Sequence, residues 1–180
     1  MKKILLWPNP KLKLVSVGVD VEETNRDPEA IKSLRTLAEE MAGIMGTHGG
    51  VGLAAIQIDV PIRVLTTLVD GIPRVFVNPV LVAKDGETEL MREGCLSVPD
   101  YYDRVRRYPT VTVEHNQLLP DKLIGRETYK AHGLLAQVLQ HELEHLDGRL
   151  FIDSLSPAKR QNIRGDLLKK RLAGLLRDYR

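Results

Sequence analysis

A chain of 180 residues fits one ordinary domain, spanning 1–180, and can bury a sizeable core. Its 43% hydrophobic and 28% charged content is that of a soluble globular protein and argues against disorder. No apolar run approaches the roughly 20 residues needed to cross a bilayer, so a cytoplasmic protein with no membrane contact is expected.

The net charge of +2 divides unevenly. Beyond Pro157 the chain carries +6, which leaves −4 for the rest. A basic terminal stretch is either a solvated face or a surface for an anionic partner such as RNA. At the other end, Lys2 and Lys3 precede an apolar stretch too short for a secretory signal. Residues 4–17, broken by Pro8 and Pro10, read as extended or irregular.

Asp27-Pro28 is a helix start, with a capping carboxylate followed by proline in the first helical position. Ile31, Leu34, Leu37, Ala38, Met41, Ile44 and Met45 recur at helical spacing, so the helix should run to about Thr47. Gly49 and Gly50 end it. His48, just past the helix, reads as a surface or packing residue. The small residues of Gly50-Val51-Gly52-Leu53-Ala54-Ala55-Ile56-Gln57 allow close backbone approach, and a tight turn is their plain reading.

Residues 62–68 and 75–82 are apolar and β-branched around Asp70-Gly71, which predicts a β-hairpin. Glu93-Gly94-Cys95-Leu96-Ser97 follows and contains the single cysteine, so no intrachain disulfide forms. Residues 105–114, interrupted by Pro109, and 123–129 are further strand candidates.

A helix opens near Gly133 and ends at Gly148, a natural left-handed cap. It carries Gln140-His141-Glu142-Leu143-Glu144-His145. Residues four apart stack on one helix face, about 6 Å apart along the axis, so His141 and His145 can grip one metal ion. Glu142 completes the H-E-x-x-H pattern of metal-dependent hydrolases, in which the glutamate is the general base. The plain alternative is a surface histidine pair. Leu134, Leu135, Val138, Leu139 and Leu146 argue instead for burial, where polar residues need partners. Ser156-Pro157 starts a last, basic helix over about 157–178, weakened by Gly165 and Gly174. The order of elements predicts an α+β fold, with mixed or antiparallel sheets packed around the central helix.

Two histidines leave a catalytic metal site one ligand short. Cys95 is the best candidate for the third. His48, His115, His132, carboxylates, or a downstream ligand of the zinc-protease kind remain open. A zinc endopeptidase and a metal-stapled RNA-binding domain are the rival readings.

Gly50-Val51-Gly52-Leu53-Ala54-Ala55-Ile56-Gln57, Glu93-Gly94-Cys95-Leu96-Ser97 and Gln140-His141-Glu142-x-x-His145-Leu146, in this order and spacing, resemble the three motifs of peptide deformylases. These enzymes remove the formyl group from the N-terminal methionine of nascent bacterial and organellar proteins. The similarity runs from Pro8-Asn9-Pro10 to Ser156-Pro157. The resemblance implies one divalent metal, Fe(2+) in most of the family, replaceable by Ni(2+), Co(2+) or Zn(2+), on Cys95, His141 and His145. It implies Glu142 as the proton carrier, and the Gln57 amide and the Leu96 backbone N–H as donors to the oxyanion. It places N-formylmethionyl peptides along Val51, Gly52 and Gly94, with the methionine pocket drawn from Val51, Leu134, Val138 and the stem of Glu93. The basic last helix would then be a ribosome-docking element. Three positions depart from the family pattern. Glu144 stands in place of an aspartate, His132 stands where an acid is common, and Tyr102 stands where some relatives carry arginine.

Overall fold

The computed structural model describes residues 2–174. Asp20 caps a short helix α1 (Val21–Arg26), and Asp27 caps α2 (Pro28–Thr47) through the Glu29 amide. Strand β1 (Gly52–Ala54) leads through a 3-10 turn (Ala55–Ile58) to β2 (Val64–Val69) and β3 (Ile72–Asp85). Strands β4 (Glu89–Cys95), β5 (Val98–Arg107), β6 (Thr110–Leu118) and β7 (Leu123–His132) follow. Helix α3 (Gly133–Leu146), a 3-10 turn (Phe151–Ser154) and α4 (Pro157–Leu172) are the last elements among the described residues. The expected continuation of the last helix to 178 lies outside the described residues.

Strands β1-β2-β3-β6-β7 form one sheet, and β4-β5 form a separate ribbon. Among the described residues every ladder is antiparallel, and the one parallel pairing is an isolated bridge, Val17 to Ile62. Successive side chains alternate between the two faces of the five-stranded sheet, and in β1, β2 and the middle of β3 both faces are covered, while most of β7 and the end of β3 are exposed. Leu53, Val64 and Val77 face α2, while Ala54, Leu65 and Phe76 face α3. A third cluster joins Val98 and Val105 of β5 to Phe151, Ile152 and to Ile163 and Leu167 of α4. The +100° periodicity of α2 and α3 supplies the matching apolar stripes. Among the described residues no helix is long and apolar enough to cross a membrane.

Three elements differ from expectation. Residues 105–114 are not one strand. They hold the end of β5, a turn at Tyr108-Pro109, and the start of β6. Proline cannot donate to a ladder, so the chain turns there instead of continuing. Helix α1 is too short to leave a periodic signal. The β4–β5 ribbon gives no apolar alternation along the chain, because its inner face carries Glu93 and Arg107.

Candidate active site

Helix α3 runs along the sheet, with its N-terminus at Gly133 and a left-handed Gly148 (φ 70°) just past its end. Its polar face turns toward the β4–β5 ribbon. His141, Glu142 and His145 are all buried there, at 8%, 3% and 0% exposure. Cys95, the last residue of β4, meets them. Its Sγ lies 3.1 Å from His145 Nε2. The ligand atoms of Cys95, His141 and His145 lie within 4.8 Å of one another. The cysteine and the two histidines, 50 and 46 residues apart in sequence, thus converge on one point, while His132 is exposed and bonded to Thr110.

The donor set fits a metal ion. A thiolate and two imidazoles bind ions such as zinc at about 2.3 and 2.0–2.1 Å, which requires this close clustering. The electrostatics agree. Burial pushes His141 down, but hydrogen bonds to Cys95 and Glu93 outweigh it and hold its pKa well above the usual value. The His141 proton is the one that a bound ion would displace. Burial, with the charges of His141, Lys13 and Arg107, keeps His145 well below its usual pKa, so it is neutral, as a ligand must be. His145 Nδ1 has no hydrogen-bond partner among the described residues.

The ligands are oriented from behind. His141 Nδ1 bonds Glu93 Oε2 at 3.0 Å, which leaves Nε2 for the cluster. Arg107 donates to both Glu93 oxygens, at 2.6 and 3.0 Å, and to both Glu144 oxygens, at 2.8 Å each. Burial would raise the Glu93 pKa, but His141 and Arg107 hold it down at about 2. Arg107 itself is pushed above its usual value by the two carboxylates despite its burial. Glu144, in place of the aspartate, reaches Arg107 and does not touch the cluster.

Gln57 sits in the 3-10 turn after β1. Its Oε1 accepts from the Ala54 amide at 2.8 Å. Its Nε2 donates to Ser97 Oγ at 3.1 Å and lies 3.6 Å from Cys95 Sγ. Glu142 leaves Oε2 unpartnered, and burial raises its pKa to about 7. A Cβ built on Gly52 would lie 2.4 Å from Glu142 Oε1, so strand β1 runs directly against the carboxylate.

A cleft of about 270 Å³ opens over the cluster. Val51, Gly52, Gln57, Glu93, Gly94, Leu96, Leu134 and Val138 all line it, as do His141 and Glu142. Val51 and Leu134 are 41% and 51% exposed, so they are not plain core residues. His48 also lines the cleft, with Nδ1 2.8 Å from Ile44 O. Sequence reasoning missed Arg107, Ser97 and Arg92 in this setting. Only the alternation of β5, once recognised, would have turned Arg107 inward.

Residues 1–161 match the family model described as polypeptide deformylase. Peptide deformylase 2 of Xanthomonas axonopodis pv. citri is 42% identical over 173 residues, covering 93% of this chain and 95% of that one. Peptide deformylase of Rhizobium meliloti is 39% identical over 168 residues, covering 91% and 90%. The crystal structure of a peptide deformylase from Legionella pneumophila superposes with a TM-score of 0.84 at 36% identity, over 98% of this chain and 99% of that one. The Ehrlichia chaffeensis enzyme in complex with actinonin gives 0.83 at 32%, over 94% and 97%.

An α+β chain with these relatives and this cysteine–histidine cluster is a metal-dependent hydrolase. It belongs to the peptide deformylase family, the enzymes that remove the N-formyl group from nascent polypeptides.

Proposed function

We propose that the whole chain acts as one catalytic domain in the cytoplasm, on N-formylmethionyl peptides, with Cys95, His141 and His145 holding a single Fe(2+). Ni(2+), Co(2+) or Zn(2+) would suit the same donors, since thiolate and imidazole accept all four. The observation that carries this reading is the convergence of three ligand atoms within 4.8 Å beside a buried, unpartnered glutamate. When bound, the ion supplies Lewis acidity and makes water a nucleophile near neutral pH.

The chain's own residues do the rest. Glu142, with a pKa raised to about 7, is poised to accept a proton from the attacking water and return it to the departing amine. Water adds to the formyl carbon, the C–N bond breaks, and formate and a free α-amine result. The Gln57 amide and the Leu96 backbone N–H donate to the formyl oxygen as it gains charge. Gln57 is suited to this because its own carbonyl is tied to Ala54, which points its N–H groups at Cys95 and Ser97.

The peptide adds to the free edges of β1 and β4 through Val51, Gly52 and Gly94, a known mode of strand recognition. Val51, Leu134, Val138 and the Glu93 stem receive the methionine side chain. Actinonin, bound by the Ehrlichia relative, should compete for this cleft.

Ribosome association through α4 has narrower support. Lys159, Arg160 and Lys170 are engaged by Asp103, Asp153, Asp100 and Asp166. Arg164, Lys169 and Arg171 have no ion pair among the described residues, and they are the candidates for phosphate contact.

The test is formate release from formyl-Met-Ala-Ser by protein purified without oxygen. One formate and one new amine per peptide are expected. Metal-loaded, folded protein that releases none would overturn the reading.

A further inference from the structure

The β4–β5 ribbon has two unlike faces. Met91, Glu93, Val105 and Arg107 turn inward. The register pairs Leu90 with Arg106, Arg92 with Arg104 and Gly94 with Tyr102. Alternation therefore puts Leu90, Arg92, Tyr102, Arg104 and Arg106 on the outer face, and all five are exposed. Among the described residues none of these three arginines has a carboxylate within ion-pair distance. Glu89, on the other face of β4 by alternation, also makes no ion pair with them, and three further acids of this region have other partners. Glu93 is held by Arg107 and His141, Asp100 faces Lys170 at 3.4 Å, and Asp103 faces Lys159 at 2.6 Å.

Like charges directly opposite each other destabilise a ribbon, so the Arg92–Arg104 pair is unfavourable by itself. An anion between them removes that repulsion. Arg92 is held in place for one. Its guanidinium carbon lies 4.6 Å from the Tyr102 ring centroid, and Gln137 of α3 donates to its backbone carbonyl at 2.8 Å. The patch is continuous with the cleft, because Arg92 and Tyr102 both line it. Arg92 stands three residues before Cys95, roughly 10 Å along an extended strand. That is the length of about three extended residues of a bound peptide.

We propose that Arg92 and Arg104, backed by Tyr102, form an anion-preferring subsite for the substrate chain just beyond its formyl-methionine. The enzyme then favours acidic residues at the third and fourth substrate positions. This rests on the cleft being the formyl-peptide site. A peptide held on the free edge of β4 beside Gly94 passes over Arg92 before it leaves the protein. An RNA partner would have no comparable reason to enter the cleft wall.

The test compares formyl-Met-Ala-Glu-Glu with formyl-Met-Ala-Lys-Lys on the metal-loaded enzyme, with formyl-Met-Ala-Ser as reference. At low ionic strength the acidic peptide should have the higher kcat/KM by about tenfold, carried by KM and shrinking as salt rises. In R92E/R104E the ratio should invert, and taking it within each protein cancels differences in folding or metal content. A ratio near one in the wild type, with formyl-Met-Ala-Ser still turned over, would overturn the subsite and leave deformylation standing. A preference that persists unchanged in R92E/R104E would overturn it as well. An unchanged ratio together with lost retention on RNA would assign the face to nucleic acid instead. No formate from any of the three peptides would take down the cleft reading and the subsite with it.

Discussion

Gly52 and Glu142 meet with no room for a methyl group. A Cβ at residue 52 would lie 2.4 Å from Glu142 Oε1 and 2.7 Å from Val138 Cγ1. A side chain at residue 52 would have to displace the Glu142 carboxylate and the Val138 methyl from the face of β1. Gly52→Ala should push the carboxylate out of place while leaving Cys95, His141 and His145 untouched. Metal content measured by atomic absorption should stay near that of the wild type. Formate release should drop by about 10²-fold or more, the typical worth of a positioned acid–base group. A Gly52→Ala protein with normal turnover would show that Glu142 relaxes freely and that this contact is incidental.

Arg107 is 4% exposed and joins two carboxylates from different elements, Glu93 of β4 and Glu144 of α3. Removing it strands buried negative charge beside the ligand cluster. Arg107→Met should destabilise the fold by about 3–5 kcal/mol, the usual penalty for breaking a buried pair from one side. It should also speed metal loss on dialysis, because Glu93 no longer holds His141 in one orientation. Arg107→Lys should restore only part of this, since one ammonium cannot fork to two carboxylates. Urea midpoints and metal retention, measured on the same samples, check both effects. Unchanged values for both in Arg107→Met would show the clasp to be energetically idle.

This clasp also explains what the sequence concealed. His141 and His145 were legible because their partnership is local and periodic. Cys95 stands out as the single cysteine, whereas Gln57 stands out only through the resemblance of its stretch to a deformylase motif, its neighbours alone reading as a tight turn. Arg107 gave no such signal, because its partners lie 14 and 37 residues away and only folding brings them together. The same fact hid the β4–β5 ribbon. A half-buried strand is recognised by apolar residues on its inner face, and here that face carries Glu93 and Arg107. Their charges cancel in space, but along the chain they break the pattern. The hairpin of β2 and β3, with Val64, Leu65, Phe76 and Val77 buried, is legible for the opposite reason.

Glu93 ties stability to pH. Its pKa falls from 4.5 to about 2 because the hydrogen bonds from His141 and Arg107 outweigh its burial. Between those two values the native state binds fewer protons than the unfolded state, so stability rises with pH. The contribution of Glu93 is complete above 4.5 and is lost as the pH falls through about 2. Glu93→Gln should flatten this slope. The check is a series of urea-unfolding midpoints from pH 2 to 6 on both proteins. Parallel curves would mean that other carboxylates dominate acid unfolding.

Glu142 and His141 are adjacent in sequence, yet they should fail in different ways. Successive residues on a helix point about 100° apart. His141 is drawn to Cys95 and Glu93, while Glu142 lies against β1 at the cleft wall with one oxygen unpartnered. Glu142→Ala should keep the metal and lose about 10²–10⁴ in rate, the range for general acid–base catalysis. His141→Ala and Cys95→Ser should lose metal and activity together. Glu142→Asp should keep partial function only where a bridging water spans the missing methylene. Metal stoichiometry and formate release, measured in the same preparations, separate the two roles. If Glu142→Ala loses the metal along with its activity, the carboxylate is a ligand and the proton has another carrier. If it keeps the metal and near-normal turnover, the proton path proposed here is wrong, although the cluster remains the metal site.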